Sequence, residues 1–108
     1  MEFYDLQVKQ GESFSQELIF KKNGAPVDLT GYSGFSQVRP EPGSPDLVCE
    51  MTVTITAEEG KAEMTIPKET TKTLQPDNYA YDFCLEDPNG IRTYYIGGKF
   101  TVFPSVTE

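Results

Sequence analysis

The stretch that decides the fold is LQPDNYAYDFCL, residues 74–85. From Tyr79 onward its side chains alternate between two faces, because successive residues of an extended strand point in opposite directions. One face is apolar and carries Tyr79, Tyr81, Phe83 and Leu85. The other face carries Ala80, Asp82, Cys84 and Glu86. This alternation predicts a strand over residues 78–86 that packs one face against a core and turns the other toward solvent.

The start of the same stretch has the pattern Leu74-x-Pro76-x-x-Tyr79. It resembles the corner that leads into a strand of an immunoglobulin-like sandwich, where a tyrosine hydroxyl bonds to the backbone a few residues upstream. The resemblance implies an all-β, immunoglobulin-like antiparallel β-sandwich, with Leu74, Pro76 and Tyr79 as its structural corner. A fold of this kind hosts many functions, most of them binding, so the fold alone assigns none.

The rest of the chain predicts seven or eight strands in one domain, residues 1–108. Turn-forming residues separate short apolar runs at intervals of about 8–12 residues, which is typical of a sandwich or barrel. The predicted strands are residues 3–8, 14–20, 33–39, 47–56, 61–66, 78–86, 91–96 and 99–103. Residues 67–74 predict one short helical turn, with Pro67 near its first position. The pair Gly97-Gly98 predicts a β-bulge in the last strand region.

The two cysteines are predicted to be free thiols. Cys49 shares the apolar parity of its strand and is expected to face inward, whereas Cys84 shares the polar parity with Asp82 and is expected to face outward. A disulfide between sheets needs both thiols inside, with Cα atoms about 5.5 Å apart. Two cysteines without histidine do not complete a zinc shell unless carboxylates join them. No metal site and no cofactor are therefore predicted.

The charge of the chain argues against nucleic acid and membrane partners. The net charge is −8 with only 9 basic residues, whereas duplex binding requires clustered Lys and Arg. The longest apolar runs fall well short of the roughly 20 residues that span a bilayer. The N-terminal residues MEFYD lack the basic and apolar regions of a signal peptide. The expected location is the cytoplasm, without secretion by a signal peptide, and assembly into a particle is kept as an alternative.

No enzymatic activity is predicted. The chain has no histidine, so the usual activator of a serine or cysteine nucleophile is missing. A carboxylate-dependent hydrolase is a third, weaker hypothesis. Asp82 and Glu86 share one face of one strand, about 13 Å apart, whereas a glycosidase pair is separated by about 5–9.5 Å. No catalytic residue is therefore assigned.

The candidate partner contacts lie in a proline-rich loop and in a late strand. Residues 40–45 contain three prolines, which restrict the loop and lower the entropy lost when it docks. Arg39, Glu41 and Asp46 belong to this region. Tyr94 and Tyr95 are adjacent on one strand, so at least one of them faces outward. These five residues are the predicted contacts with a partner.

Three segments, in order, resemble small proteins of tailed-phage and prophage structural gene clusters. They are VDLTGY (27–32) followed by QVRP (37–40) and PGSP (42–45), then LQPDNYAYD (74–82), and finally GKFTV (98–102) followed by SVT (105–107). The pattern is also similar to the N-terminal immunoglobulin-like domain of phage baseplate upper proteins. The resemblance implies a virion structural β-sandwich without enzymatic activity, which acts by protein–protein contacts in a tail or baseplate.

Two function hypotheses follow. The first is a phage structural or assembly module that binds itself, as a homo-oligomer, or a tail protein through an exposed strand edge or loop. The alternative is a carbohydrate-binding module, which requires a flat aromatic face built from Tyr32, Tyr94 and Tyr95. The absence of tryptophan weakens this alternative.

Overall fold

The chain forms ten strands and one short α-helical turn in the computed structural model, which describes residues 1–106. The strands are β1 (Glu2–Phe3), β2 (Leu6–Lys9), β3 (Phe14–Ile19), β4 (Lys21–Lys22), β5 (Ala25–Pro26), β6 (Ser33–Arg39), β7 (Cys49–Thr56), β8 (Lys61–Ile66), β9 (Asp77–Glu86) and β10 (Arg92–Phe103). A 3-10 turn (Ala57–Glu59) precedes β8, and α1 (Lys68–Thr71) follows it. No helix in this part of the chain is long and apolar enough to cross a membrane.

The strands form two layers that share one strand. Hydrogen bonding runs in the order β1-β10-β9-β6-β7-β8-β3, and β2 also pairs with β10. The first residues of β7, Cys49–Met51, pair with β6, whereas Thr52–Thr56 pair with β8. We call β1, β2, β10, β9 and β6 the front sheet, and β8 with β3 the back sheet. Because β7 belongs to both, the chain folds over at β7 into a sandwich, which confirms the predicted all-β fold class.

The N-terminal strands run parallel to the last strand. Glu2 and Phe3 pair with Ile96 and Gly97 of β10, and β2 pairs with residues 100–103 of the same strand. The other pairs are antiparallel, including β4 with β5, which form a separate two-stranded sheet. A parallel pair needs a long connection between its strands. Here the connection is most of the domain, so the first and last segments of the sandwich close on each other.

The core lies between the two sheets. On β9 the predicted inward residues Tyr81, Phe83 and Leu85 are buried, with Phe83 fully inaccessible to solvent. The facing side chains of β8 are Ala62, Met64 and Ile66, and these are also buried. Burial of apolar area at about 25 cal/mol per Å² is the main favourable contribution to folding of such a domain. The alternation in the sequence thus identifies the side of β9 that is removed from water.

The corner before β9 is held by side chain to backbone hydrogen bonds. The Tyr79 hydroxyl donates to the carbonyl oxygen of Gln75 at 2.6 Å. Leu74 is buried in the core, and its carbonyl accepts a 2.7 Å hydrogen bond from the side-chain amide of Gln10. Pro76 lies between Leu74 and Tyr79, the two residues that make these contacts. The corner therefore fixes how β9 enters the front sheet.

The last strand differs from its prediction. Residues 91–96 and 99–103 were predicted as separate strands with a bulge at Gly97-Gly98, but β10 is continuous and its register shifts between Tyr94 and Ile96. Gly98 has another role, because a Cβ there would lie 2.7 Å from Oδ1 of Asp5, and its φ of 152° suits glycine. The amide of Lys99 donates to the same Asp5 oxygen at 3.0 Å. Close approach of Asp5, rather than a bulge, explains the glycine.

The first predicted strand is also interrupted. Residues 3–8 were expected to be continuous, but Tyr4 and Asp5 lie between β1 and β2. The Tyr4 amide still donates to the Gly97 carbonyl at 2.8 Å, and the Tyr4 carbonyl accepts a hydrogen bond from the hydroxyl of Tyr81. The backbone at Tyr4 thus forms a hydrogen bond with the side chain of Tyr81 in β9. The interruption leaves Asp5 beside Gly98.

Truncation of Phe83 tests the assignment of the core. We expect Phe83→Ala to lower the free energy of unfolding by about 3–5 kcal/mol, because it removes a fully buried ring and leaves a cavity. Urea denaturation followed by circular dichroism measures the change. The matched control is Phe3→Ala, since Phe3 is 82% exposed and its truncation is expected to cost little. Equal losses in the two variants would contradict the described core.

Candidate functional site

The outer face of the front sheet is a grid of side chains set by strand register. β9 lies between β6 and β10. Ala80 of β9 is opposite Arg39 of β6 and opposite Lys99 of β10. Neighbouring strands are about 4.8 Å apart, so the Cα atoms of the two cations lie about 10 Å apart. On this face only the methyl group of Ala80 lies between the side chains of Arg39 and Lys99. We call these three residues the cationic row.

The next row along the grid is polar and more open. Asp82 of β9 is opposite Gln37 of β6 and opposite Gly97 of β10. Gly97 provides no side chain, and a Cβ at this position would lie 3.2 Å from the sulfur of Met1. The N-terminal residue therefore lies over the sheet where β10 is bare.

The third row is aromatic and covers a cysteine. Cys84 of β9 is opposite Phe35 of β6 and Tyr94 of β10. Although it lies on the outer face, as the sequence predicts, Cys84 is only 2% exposed. The guanidinium of Arg92 lies 4.6 Å from the centroid of the Phe35 ring and donates to Glu86 at 2.9 Å. These outer-face side chains protect the thiol from solvent.

Part of the grid forms the floor of a groove of about 800 Å³, namely the cationic row with Gln37, Asp82 and Tyr94. One wall is the loop of residues 40–43, which contains two of the prolines. The other wall is the N-terminal segment with Met1, Phe3 and Asp5. The ring of Phe3 is 82% exposed. The lining also contains five charged residues, Asp5, Arg39, Glu41, Asp82 and Lys99. Cavities of this size are typical of ligand-binding sites.

Arg39 is oriented by neutral groups rather than by an acid. Its guanidinium donates to Oε1 of Gln37 at 2.7 Å and to the carbonyl of Ser44 at 3.3 Å. Gln37 in turn donates through its amide to Glu50 at 3.0 Å. Within residues 1–106, ion pairs involve Lys61 and Arg92, and neither Arg39 nor Lys99 forms one. The cationic row thus has charge available for an external anion.

The middle row contains a carboxylate with a perturbed proton affinity. Asp82 keeps contact with solvent, yet partial burial in the groove desolvates the carboxylate and raises its pKa above the ordinary value of 3.8. The positive charge of Arg39 acts in the opposite direction. Desolvation is the larger effect, so the groove favours the neutral form of this acid more than water does.

The thiols are poor nucleophiles in the folded protein. Both cysteines are free, with Cys49 half-buried. Burial raises the pKa of each thiol, and for Cys84 the nearby charge of Arg92 only partly offsets this. Because the thiolate is the reactive form, both groups are mainly protonated at neutral pH. Within the described residues 1–106, no group of three His, Cys, Asp or Glu side chains is arranged to hold a metal ion.

The structure brings together three of the five predicted contact residues. Arg39, Glu41 and Tyr94 line the groove. Asp46 is exposed outside it. Tyr95 faces inward and packs edge-to-face against Phe20, with ring centroids 4.9 Å apart. The register shift at Tyr95 is the physical reason, because it turns Tyr95 and Ile96 toward the same side of the sheet.

The aromatic platform of the carbohydrate hypothesis is not formed. Of the three tyrosines it requires, Tyr95 packs against Phe20 and Tyr32 is half-buried against the core, which leaves only Tyr94 on the outer face. Lys99 and the N-terminal wall of the groove were not identified from the sequence. The alternation of β10 does place Lys99 outward, but only the register shows that it lies across Ala80 from Arg39.

The fold is similar to that of a solved protein, the crystal structure of CopC from Methylosinus trichosporium OB3b. The TM-score is 0.53 and the sequence identity 16%, and the match covers 96% of this chain and 88% of CopC. At this identity the likeness concerns the fold alone. No protein-family model and no curated protein matches the sequence.

The comparison corrects the predicted function. The chain was expected to be a structural or assembly module of a phage tail or baseplate. CopC is one solved structure that matches nearly its whole length, and nothing in the comparisons supports a role in a virion. That prediction is wrong. The sandwich architecture that accompanied it is retained.

The raised pKa of Asp82 predicts a pH-dependent effect of its replacement. A carboxyl group with a raised folded-state pKa stabilises the fold while it is protonated, below 3.8, and this contribution is lost as pH rises through the folded-state pKa. We therefore expect Asp82→Asn to be more stable than the wild type at pH 7. Urea denaturation over an acidic to neutral series measures the difference. A gain that persists below the ordinary pKa of the acid would contradict this reasoning.

The cover over Cys84 predicts a change in thiol reactivity. In a Cys49→Ser background, we expect Phe35→Ala to raise the rate of Cys84 alkylation by iodoacetamide by about tenfold or more. The reason is that the thiol no longer requires local opening to reach solvent. Mass spectrometry follows the reaction. The control is Phe103→Ala, which removes an exposed ring from the far end of β10. An unchanged rate in the Phe35 variant would show that other groups shield the thiol.

Proposed function

We propose that this chain is a non-catalytic binding domain that accommodates an extended, acidic segment of a protein partner in the groove of the front sheet. The observation that carries the proposal is the cationic row. Arg39 and Lys99 face the groove across Ala80, and neither is paired with an acid within residues 1–106. A carboxylate placed over Ala80 would be within reach of both charges.

The dimensions of the groove suit an extended polypeptide. Side chains on one face of an extended chain repeat about every 6.8 Å, twice the rise per residue. A segment with a carboxylate over the cationic row would place its next side chain on that face near the Asp82 row, beside Met1, whose sulfur lies over Gly97. Apolar side chains on the segment would contact Phe3 and the prolines of residues 40–43.

The restricted loop lowers the cost of binding. Arg39 is already held by Gln37 and by the carbonyl of Ser44, which lies just beyond the groove wall. Side chains ordered before association lose less entropy when the ligand arrives. The guanidinium can donate two parallel hydrogen bonds to one carboxylate, a planar bidentate arrangement that a lysine does not offer. Arg39 is therefore the residue expected to set orientation, with Lys99 adding charge.

The negative net charge of the chain limits the binding of an acidic partner to the cationic row. With a net charge of −8, the domain repels anions at long range, so nucleic acid is not part of the proposal. An acidic segment binds only where the cationic row outweighs this repulsion. The proposal includes no catalytic role for Cys84, because this thiol next to the groove is covered and mainly protonated.

Fluorescence anisotropy with defined peptides tests the proposal. The probe is a labelled peptide with one central Glu flanked by Val and Ser residues, and the comparison peptide replaces that Glu by Lys. We expect the acidic peptide to bind more tightly and its affinity to fall as salt rises. The double variant Arg39→Glu with Lys99→Glu is expected to weaken binding about tenfold or more, because it removes charge-assisted contacts worth about 1.5–3 kcal/mol each.

The matched control makes the same charge change elsewhere. Lys68→Glu with Lys72→Glu lies on and just after α1, on exposed side chains outside the groove. We expect this control to retain most of the affinity. Equal losses of peptide affinity in the two double variants would show that the effect comes from net charge, and would contradict a binding site in the groove. Tighter binding of the basic peptide to the wild type would refute the proposal directly.

A further inference from the structure

The outer edge of the back sheet is open along the whole of β3. Among the described residues 1–106, β3 is terminal in the order of strands and pairs only with β8. The strand has six residues, FSQELI, and includes neither the proline nor the lysine that natural proteins often place on an edge strand to prevent pairing. A regular, unprotected edge is a template for another strand.

The backbone groups that face the open edge can be assigned. The Phe20 amide donates to the Gly60 carbonyl at 2.8 Å, which extends the β3–β8 ladder by one pair beyond Ile19 and Lys61. Hydrogen-bonded pairs alternate along an antiparallel ladder. Residues 14, 16 and 18 therefore bond to β8, and Ser15, Glu17 and Ile19 direct their backbone groups outward. The Glu17 carbonyl accepts only a local bond, 3.1 Å, from the Gln16 side chain.

The core is incompletely covered along this edge. Leu18 and Gln16 point inward but are half-exposed. On the neighbouring β8, the inward residues Met64 and Ile66 are at most 1% exposed. A second groove, of about 530 Å³, lies where the end of β3 meets the start of β10. An additional strand beside β3 would remove this apolar surface from water.

We propose that two copies of this chain associate through antiparallel pairing of their β3 strands. In one register Gln16 lies opposite Gln16 of the second copy. Phe14 then faces Leu18 on the inner side, and Ser15 faces Glu17 on the outer side. Apolar side chains meet apolar ones and two amides meet at the two-fold axis, whereas the Ser15 hydroxyl already donates to Glu63 of its own chain at 2.8 Å. In this register, odd-numbered residues of one copy form hydrogen-bonded pairs with odd-numbered residues of the other, because the backbone groups of these residues point away from β8.

Neighbouring registers are less favourable. A shift by two residues in one direction places Glu17 opposite Glu17, and like charges directly opposite each other are destabilising. The opposite shift places Phe14 against Gln16 and shortens the paired segment. In the favoured register, each Glu17 also remains close to Lys61 of its own chain, at 3.5 Å. Side-chain pattern and backbone direction therefore select the same arrangement.

Sedimentation velocity over micromolar to millimolar concentrations tests the proposal. We expect the wild type to reach twice the 12.1 kDa mass of one chain. Higher salt is expected to favour association, since it screens the repulsion between two acidic chains. Gln16→Glu and Gln16→Lys, each studied alone, are expected to weaken association about tenfold or more, because each places like charges together at the axis. An equimolar mixture of the two variants is expected to recover the dimer.

The same substitutions at Gln7 serve as the control, because Gln7 is an exposed residue of β2 in the front sheet. Gln7→Glu and Gln7→Lys are expected to associate as the wild type does. Circular dichroism confirms that each variant is folded. A wild type that stays monomeric at millimolar concentration overturns the proposal. A dimer that tolerates both Gln16 variants also overturns it, because association then uses another surface.

Discussion

The pairing of β9 with both β6 and β10 is the constraint on which the rest of the structure depends. Inward residues of β9 provide the middle of the core, and Phe83 is completely buried there. Outward residues of the same strand, from Ala80 to Cys84, provide the middle of every row on the outer face of the front sheet. One strand thus determines at once what is excluded from water and which side chains meet on the surface. The hydrogen bond from Tyr79 to the Gln75 carbonyl fixes its entry.

Much of the fold could be predicted from local pattern. Alternation along residues 78–86 assigns the two faces of β9 because it depends only on the period of a strand. The bulge at Tyr95 could not be found this way. Tyr94-Tyr95-Ile96 has no glycine, and the shift satisfies packing against Phe20 and the ladder to β9, both of which are distant in sequence. The two glycines nearby were a misleading signal, since Gly98 accommodates Asp5 instead.

The groove was only partly predictable for a related reason. The proline-rich loop and Arg39 are evident from residues 39–45, and their participation follows from restricted backbone and charge. Lys99 and Phe3 reach the same place through pairings that join the two ends of the chain. A sequence shows which residues point outward on each strand, but register between strands depends on the whole core. The functional prediction failed at a further step, because a shared sandwich is compatible with unrelated roles.

The passage of β7 from one sheet to the other has a mechanical consequence. Because Cys49–Met51 bond to β6 and Thr52–Thr56 bond to β8, the two layers are joined by continuous backbone along one side. Relative motion of the layers is therefore a rotation about β7 rather than a sliding of one past the other. On the opposite side, a groove of about 530 Å³ lies where the end of β3 meets the start of β10. Amide hydrogens near that margin should exchange with solvent first, and those along β7 and β8 last.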